Sequence, residues 1–176
     1  MISIIPLFLV GLYLNRLSAI RVKKIAEKKI KNAYEPLPDI IHNLIPSIPF
    51  HTPDYVILIV LCSLFLQINT LYEIEKNLLC WALCSILRAG CVNLTIMPTC
   101  VPQPKEEEKN IYKKFFLSTH DLMFSGHALF FISFGKMQQN IIFEYFCPII
   151  LIISRQHYTV DIFVSFLTYN YIYLHL

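Results

Sequence analysis

The chain has 176 residues, 56% of them hydrophobic, with a mean hydropathy of +0.55 and a formal charge of +3. Soluble domains sit at about 45–50% apolar, and here the excess gathers in blocks of roughly 18 to 20 residues, the length a helix needs to cross a bilayer, so one membrane domain is expected with no second folded module. The basic residues cluster between Arg21 and Lys31 and between Lys105 and Lys114, beside apolar blocks, which argues for membrane-facing loops and against a nucleic-acid surface.

Met1–Leu14 is apolar and extends to Ile20 if Asn15 and Arg16 lie at an interface. A basic stretch follows rather than a small-residue cleavage site, so an uncleaved first span is expected in place of a signal-like segment. Arg21–Tyr34 reads as a Lys-rich helical stretch, and residues 1–35 form an N-terminal unit ahead of the main domain over 36–176. Pro36, Pro38, Pro46, Pro49 and Pro53 forbid one continuous helix in the next stretch. A second span is expected over Asp54–Leu71, a polar turn over Tyr72–Asn77 and a third span over Leu78–Met97. Pro98, Pro102 and Pro104 with Glu106–Lys114 make a polar loop. The fourth span runs from Asp121 to Lys136, the fifth from Ile141 to Ile153, and the sixth from His157 to the C-terminus. The expected fold is an all-α, multi-pass transmembrane bundle of about six helices. Because consecutive spans alternate direction, the end of span three, the start of span four and the junction of spans five and six share one face.

Those three places hold the unusual polar residues. Ser118 and Asp121 have capping-box spacing and mark a helix start, with Ser125-Gly126-His127 in its first two turns. Free N–H groups and the helix dipole favour an anion there, and Gly126 lets a ligand approach the backbone. His157 and Asp161 lie four residues apart, neighbours on one helix face, where a carboxylate orients an imidazole and raises its basicity. Two histidines across a cleft suit phosphoryl transfer: one attacks phosphorus and the other protonates the departing oxygen. Ionisable groups within spans cost about 2.5–3.5 kcal/mol each on insertion scales, which argues against decoration, although a structural polar cluster is the alternative. The six cysteines show neither a CxxC pair nor Cys/His ligand spacing and read as small apolar fillers. His42, His51 and His175 read as solvated, while His120 stands close enough to the motif to enter a pocket. Asn93-Leu94-Thr95 is a formal glycosylation sequon, but it falls inside span three, and Trp81 and the tyrosines fit membrane packing.

Asp121 with Ser125-Gly126-His127, followed by His157-Tyr158-Thr159-Val160-Asp161, resembles the sphingomyelin synthase family, a branch of the type 2 phosphatidic acid phosphatase superfamily of lipid phosphatases. In that family D-x-x-x-S-G-H precedes H-Y-T-x-D. Arg88 with Thr95 and Pro98, and Pro36-Leu37-Pro38-Asp39, resemble two further family motifs, so the likeness covers most of the chain after residue 35. It implies that His157 is the nucleophile, activated by Asp161, and that His127 is the acid and base. Arg88 and Arg155 become candidates to hold the phosphate, and Asp121, Ser125, Gly126 and Tyr158 to shape the head-group site. The sequence departs from the family at Thr119-His120, where Cys-Gly is usual, at Ala128 and at Cys100. These positions leave phosphocholine, phosphoethanolamine and phosphoinositol open as head groups.

The resemblance implies an integral membrane transferase that moves a phospho-head group from a glycerophospholipid to ceramide or a diacylglycerol-like hydroxyl, without cofactor or metal. A hydrolase using the same histidines and a non-catalytic lipid-binding protein are the alternatives. The family places its active site on the lumenal or exoplasmic side. The face predicted to carry the site, however, holds Arg21–Lys31, Lys105–Lys114 and Arg155, against Lys76 and Lys136 opposite, which the positive-inside rule assigns to the cytoplasm. Two readings remain: Arg21–Lys31 is an interfacial helix that the rule counts poorly, which keeps the expected family orientation, or the active site faces the cytoplasm.

Overall fold

The computed structural model describes residues 4–29, 36–63, 71–100 and 122–176, and every regular element among them is helical. Helix α1, Ile4–Lys29, is continuous through Arg21–Lys24. The apolar segment and the Lys-rich stretch as far as Lys29 are therefore one helix, since Lys and Arg are strong helix formers; residues 30–34 lie outside the described residues. Gly11 lies where α1 crosses the fourth helix: a Cβ there would meet Ser85 Cβ at 3.0 Å and the Ala82 carbonyl oxygen at 3.1 Å.

Between the prolines one helical turn survives, α2, Ile40–Leu44, because Asp39 caps it: its Oδ1 accepts from Ile41 N at 3.0 Å and His42 N at 3.4 Å. Helix α3, Thr52–Ser63, opens with Pro53 in its first turn, where no N–H is missed. Helix α4, Leu71–Leu94, corrects the expected turn over Tyr72–Asn77. That stretch contains neither Gly nor Pro, Glu73 suits the positive end of the helix, and tertiary bonds hold it. Asn77 Nδ2 returns to the Glu73 carbonyl at 2.9 Å, and Tyr169 donates its hydroxyl to Asn77 Oδ1 at 2.7 Å.

Helix α5, Gly126–Gln138, starts later than Asp121, because Leu122–Phe124 are not helical and Ser125 is the N-cap, its Oγ accepting from Ala128 N at 3.1 Å. It ends on Gln139 in the left-handed region, φ 50°. A π-helical turn, Ile142–Phe146, leads into α6, Cys147–Ile153, and α7 runs Thr159–His175. Phe124, Leu129, Ile132, Leu151 and Tyr169 form the buried centre with Cys80 and Cys84. All six thiols are free, and Cys80, Cys84, Cys100 and Cys147 are buried fillers.

Among the described residues two helices are long and apolar enough to cross a membrane, Ile4–Ala26 and Leu71–Leu94, while Thr52–Cys62 and Ile142–Ile153 are shorter apolar helices. The end of α4, the start of α5 and the α6–α7 turn meet at one end of the bundle, where Met97, Cys100, Leu122 and Tyr158 pack together. The far end joins Lys136, Glu144, Lys76, Glu73 and Tyr173.

Candidate active site

The second histidine motif sits in the turn between α6 and α7. His157 precedes the first residue of α7 by two positions, so it and Asp161 are not neighbours on a helix face as the spacing suggests. Asp161 belongs to the first turn of α7 and reaches back: its Oδ2 accepts from Tyr158 N at 3.0 Å and stands 3.4 Å from His157 Nδ1. Asp161 is fully buried and the His157 side chain 7% exposed. With Nδ1–H directed at the carboxylate, Nε2 carries the lone pair.

His127, in the first turn of α5, faces this unit. The two imidazole ring centroids are 6.2 Å apart, edge to face. His127 is 37% exposed, and its Nε2 lies 4.0 Å from Asp54 Oδ1. Asp54 in turn pairs through Oδ2 with His51 Nδ1 at 3.1 Å. Each facing histidine thus has a carboxylate near it, one buried and one partly open. The sequence reading overlooked Asp54; its only local signal is an acidic residue in the first turn of an apolar helix.

A third layer clamps the turn. Leu37 N donates to the Tyr158 hydroxyl at 2.8 Å, and that hydroxyl donates to the carbonyls of Pro98 and Thr99 at 3.2 Å. Asp39 accepts from Thr159 N at 2.7 Å and Thr159 Oγ1 at 2.9 Å while capping α2. Burial pushes the Asp39 carboxyl up, but the hydrogen bonds from Thr159 and His42, with the nearby His42 charge, outweigh it and hold the group below its ordinary value. His42, expected in solvent, is buried, with Nε2 3.2 Å from the His157 carbonyl oxygen and its ring stacked near Tyr158. The proline-bounded turn of α2 carries it inward, a placement no local pattern encodes. His51 is partly exposed and His175 exposed.

Arg155 adopts a left-handed conformation, φ 58°, and donates Nη2 to the His42 carbonyl at 3.0 Å, tying α2 to the turn. Arg88 is buried on α4; Nε donates to the Phe124 carbonyl at 2.5 Å and Nη1 to Asn15 Oδ1 at 2.9 Å. Gly126 faces this guanidinium, since a Cβ there would lie 3.6 Å from Arg88 Cζ and Nε. Ser125 caps α5, and Tyr158 is buried in the clamp. Asp121, with Ser118–His120 and Lys105–Lys114, lies outside the described residues. His127, His157, Asp161, Arg88, Ser125, Gly126 and Tyr158 therefore converge on one end of the bundle, although they come from three elements and the turns between them. No protein-family model matches the sequence, and no curated protein matches it.

Proposed function

We propose that the chain is a multi-pass membrane phosphotransferase that moves a phospho-head group from a glycerophospholipid to the hydroxyl of ceramide or a similar lipid. The observation that carries this reading is the pair of imidazoles from separate elements, 6.2 Å apart, with a buried carboxylate behind one of them. His157 Nε2 attacks phosphorus while the bond to the glycerol oxygen breaks, and His127 gives that oxygen its proton. The acceptor hydroxyl then loses its proton to His127 and attacks phosphorus, and the P–N bond breaks to restore His157. Asp161 stabilises the imidazolium character that develops on His157, and Asp54 supports the proton held by His127. Arg88, against the start of α5, adds positive charge at a helix end that already favours anions.

A bilayer setting is supported by the outer surface. Only 17% of the apolar window of α1 is buried in the protein. Leu9, Leu58, Ile59, Phe163, Leu167 and Tyr171 on α1, α3 and α7 are large apolar side chains left exposed, the kind of surface that a bilayer covers. At 1.5 Å per residue α7 extends about 26 Å, close to the hydrocarbon thickness. The SGH and HYTVD motifs support the choice of lipid. The partial exposure of His127 favours one second reading, a hydrolase in which water takes the phosphoryl group.

Membranes carrying the wild-type chain or His157→Ala, given fluorescent ceramide and labelled phospholipid, separate these readings. A phospho-ceramide that disappears in the variant is the expected result. Release of diacylglycerol without phospho-ceramide establishes the hydrolase. Equal behaviour of the two chains overturns the catalytic reading.

A further inference from the structure

We propose that Asn15 and Arg88 are positioning residues for His127, which makes the first helix a working part of the catalytic unit. This inference rests on the phosphotransfer reading above. Asn15 sits within the apolar window of α1, where an amide is costly unless its bonds are made. Its bonds lead to α4: Nδ2 donates to the Ser85 carbonyl at 2.9 Å and to Gly11 O of its own helix at 3.1 Å, and Oδ1 accepts from Arg88 Nη1 at 2.9 Å. The close crossing at Gly11 brings the two helices near enough for this.

Arg88 passes the restraint on. Its Nε holds the carbonyl of Phe124, whose peptide plane is completed by the N–H of Ser125. That N–H donates to Ser165 Oγ at 2.9 Å, and Ser165 Oγ donates to the Asp161 carbonyl at 2.7 Å. One peptide unit, two residues before His127, is gripped from both sides. Its oxygen is held by Arg88, which Asn15 holds in turn, and its N–H by Ser165 of α7, whose hydroxyl is bonded to the Asp161 carbonyl. The Phe124–Ser125 peptide also sets where α5 begins, because Ser125 is the cap. The two grips together fix the start of α5 against α7, and with it the separation of His127 from His157. Ser18 provides an internal contrast. It ties α1 to α4 through the Ala89 carbonyl at 3.3 Å and Asn93 Nδ2 at 2.5 Å, with no bond to Arg88.

The test uses the full chain in phospholipid vesicles, with the histidine acid made necessary or unnecessary by choice of leaving group. A glycerophospholipid loses an alkoxide and needs the His127 proton; p-nitrophenyl phosphocholine loses a nitrophenolate and does not. Asn15→Leu is expected to lower turnover of the phospholipid about tenfold, by analogy with loss of a hydrogen bond to a charged group, with KM unchanged. The same variant leaves the initial nitrophenolate burst near wild type. Asn15→Asp keeps an acceptor for Arg88 but loses the donor to Ser85, and retains turnover; Ser18→Ala does so too. Asn15→Ala removes the same bonds with a smaller side chain and repeats the leaving-group-dependent loss, which serves if Asn15→Leu fails to fold. Equal losses on both substrates, or none on either, overturn the inference, as does an Asn15→Asp variant no better than Asn15→Leu. Wild-type turnover equal to that of His157→Ala overturns the functional reading, and this inference falls with it.

Discussion

The two ends of the bundle use polar residues in opposite ways. At the far end charges are joined to one another. Lys136 Nζ lies 2.6 Å from Glu144 Oε1, Lys76 Nζ stands 4.3 Å from the Tyr173 ring centroid, and the Tyr173 hydroxyl donates to Glu73 Oε2 at 3.1 Å. Glu144 reaches its place because Gly135 lets the π-helical turn approach α5: a Cβ at Gly135 would lie 2.6 Å from Glu144 Cα. At the near end the buried bonds serve to hold backbone, and two imidazoles are left facing each other across the end of the bundle. The far end ties its charges together, and on the proposed function the near end fixes the spacing of the two imidazoles. Substitutions at the first should therefore move stability, and at the second, turnover.

The largest effect expected is loss of transferase activity to background in His157→Ala, at least about a thousandfold, since a covalent nucleophile has no substitute, with a thermal midpoint close to wild type. Asp161→Asn is next. Loss of the orienting carboxylate should lower turnover about a hundredfold or more, read as phospho-ceramide formed per minute. An intact rate would break the comparison by making Asp161 merely a helix-start residue. On the other side, Gly135→Ala should destabilise by about 1–3 kcal/mol, the usual range for overpacking, seen as a lower thermal midpoint in detergent with specific activity of the folded fraction kept. Lys136→Met strands Glu144 and should cost about 2 kcal/mol, below the range for a fully buried pair because Lys136 is 22% exposed. Replacing both as Lys136→Met with Glu144→Leu should recover most of it, which unfolding of the single and double variants will decide.

The smallest effect is the pH dependence carried by Asp39. Its folded carboxyl titrates below its ordinary value, so the unfolded chain binds the proton more readily. The stabilisation is fully present above about pH 4 and is lost as pH falls through the lower folded value. Asp39→Ala should remove that acid-side slope and about 1 kcal/mol of stability at neutral pH, in unfolding curves taken from pH 3 to pH 7. An unchanged slope would assign acid sensitivity elsewhere.

Much of this was legible locally. The all-helical character follows from apolar blocks bounded by prolines, and His127, His157 and Asp161 stand out because ionisable residues are rare in such blocks. Helix limits were less legible. The expected turn over Tyr72–Asn77 is helix because the Asn77 and Glu73 side chains find partners on α7, and α5 begins at Gly126 because Ser125 caps it. His42 looked solvated because it stands in a proline-bounded stretch that reads as a loop, yet α2 folds it against His157. Asp54 offers only its place in the first turn of an apolar helix, and no local pattern gives Asn15 its partner Arg88.

The sequence by itself determined the helical character and singled out His127, His157 and Asp161, because helical period, apolar block length and the rarity of ionisable residues in such blocks are local properties. Only the tertiary structure decided which of them meet. Asn15 and Arg88 are separated by 73 positions, and Leu37 and Tyr158 by 121. Contacts over such separations depend on how whole helices pack, on the small residue that lets two backbones approach and on the buried groups that must be bonded, and none of these is written in any short stretch of chain.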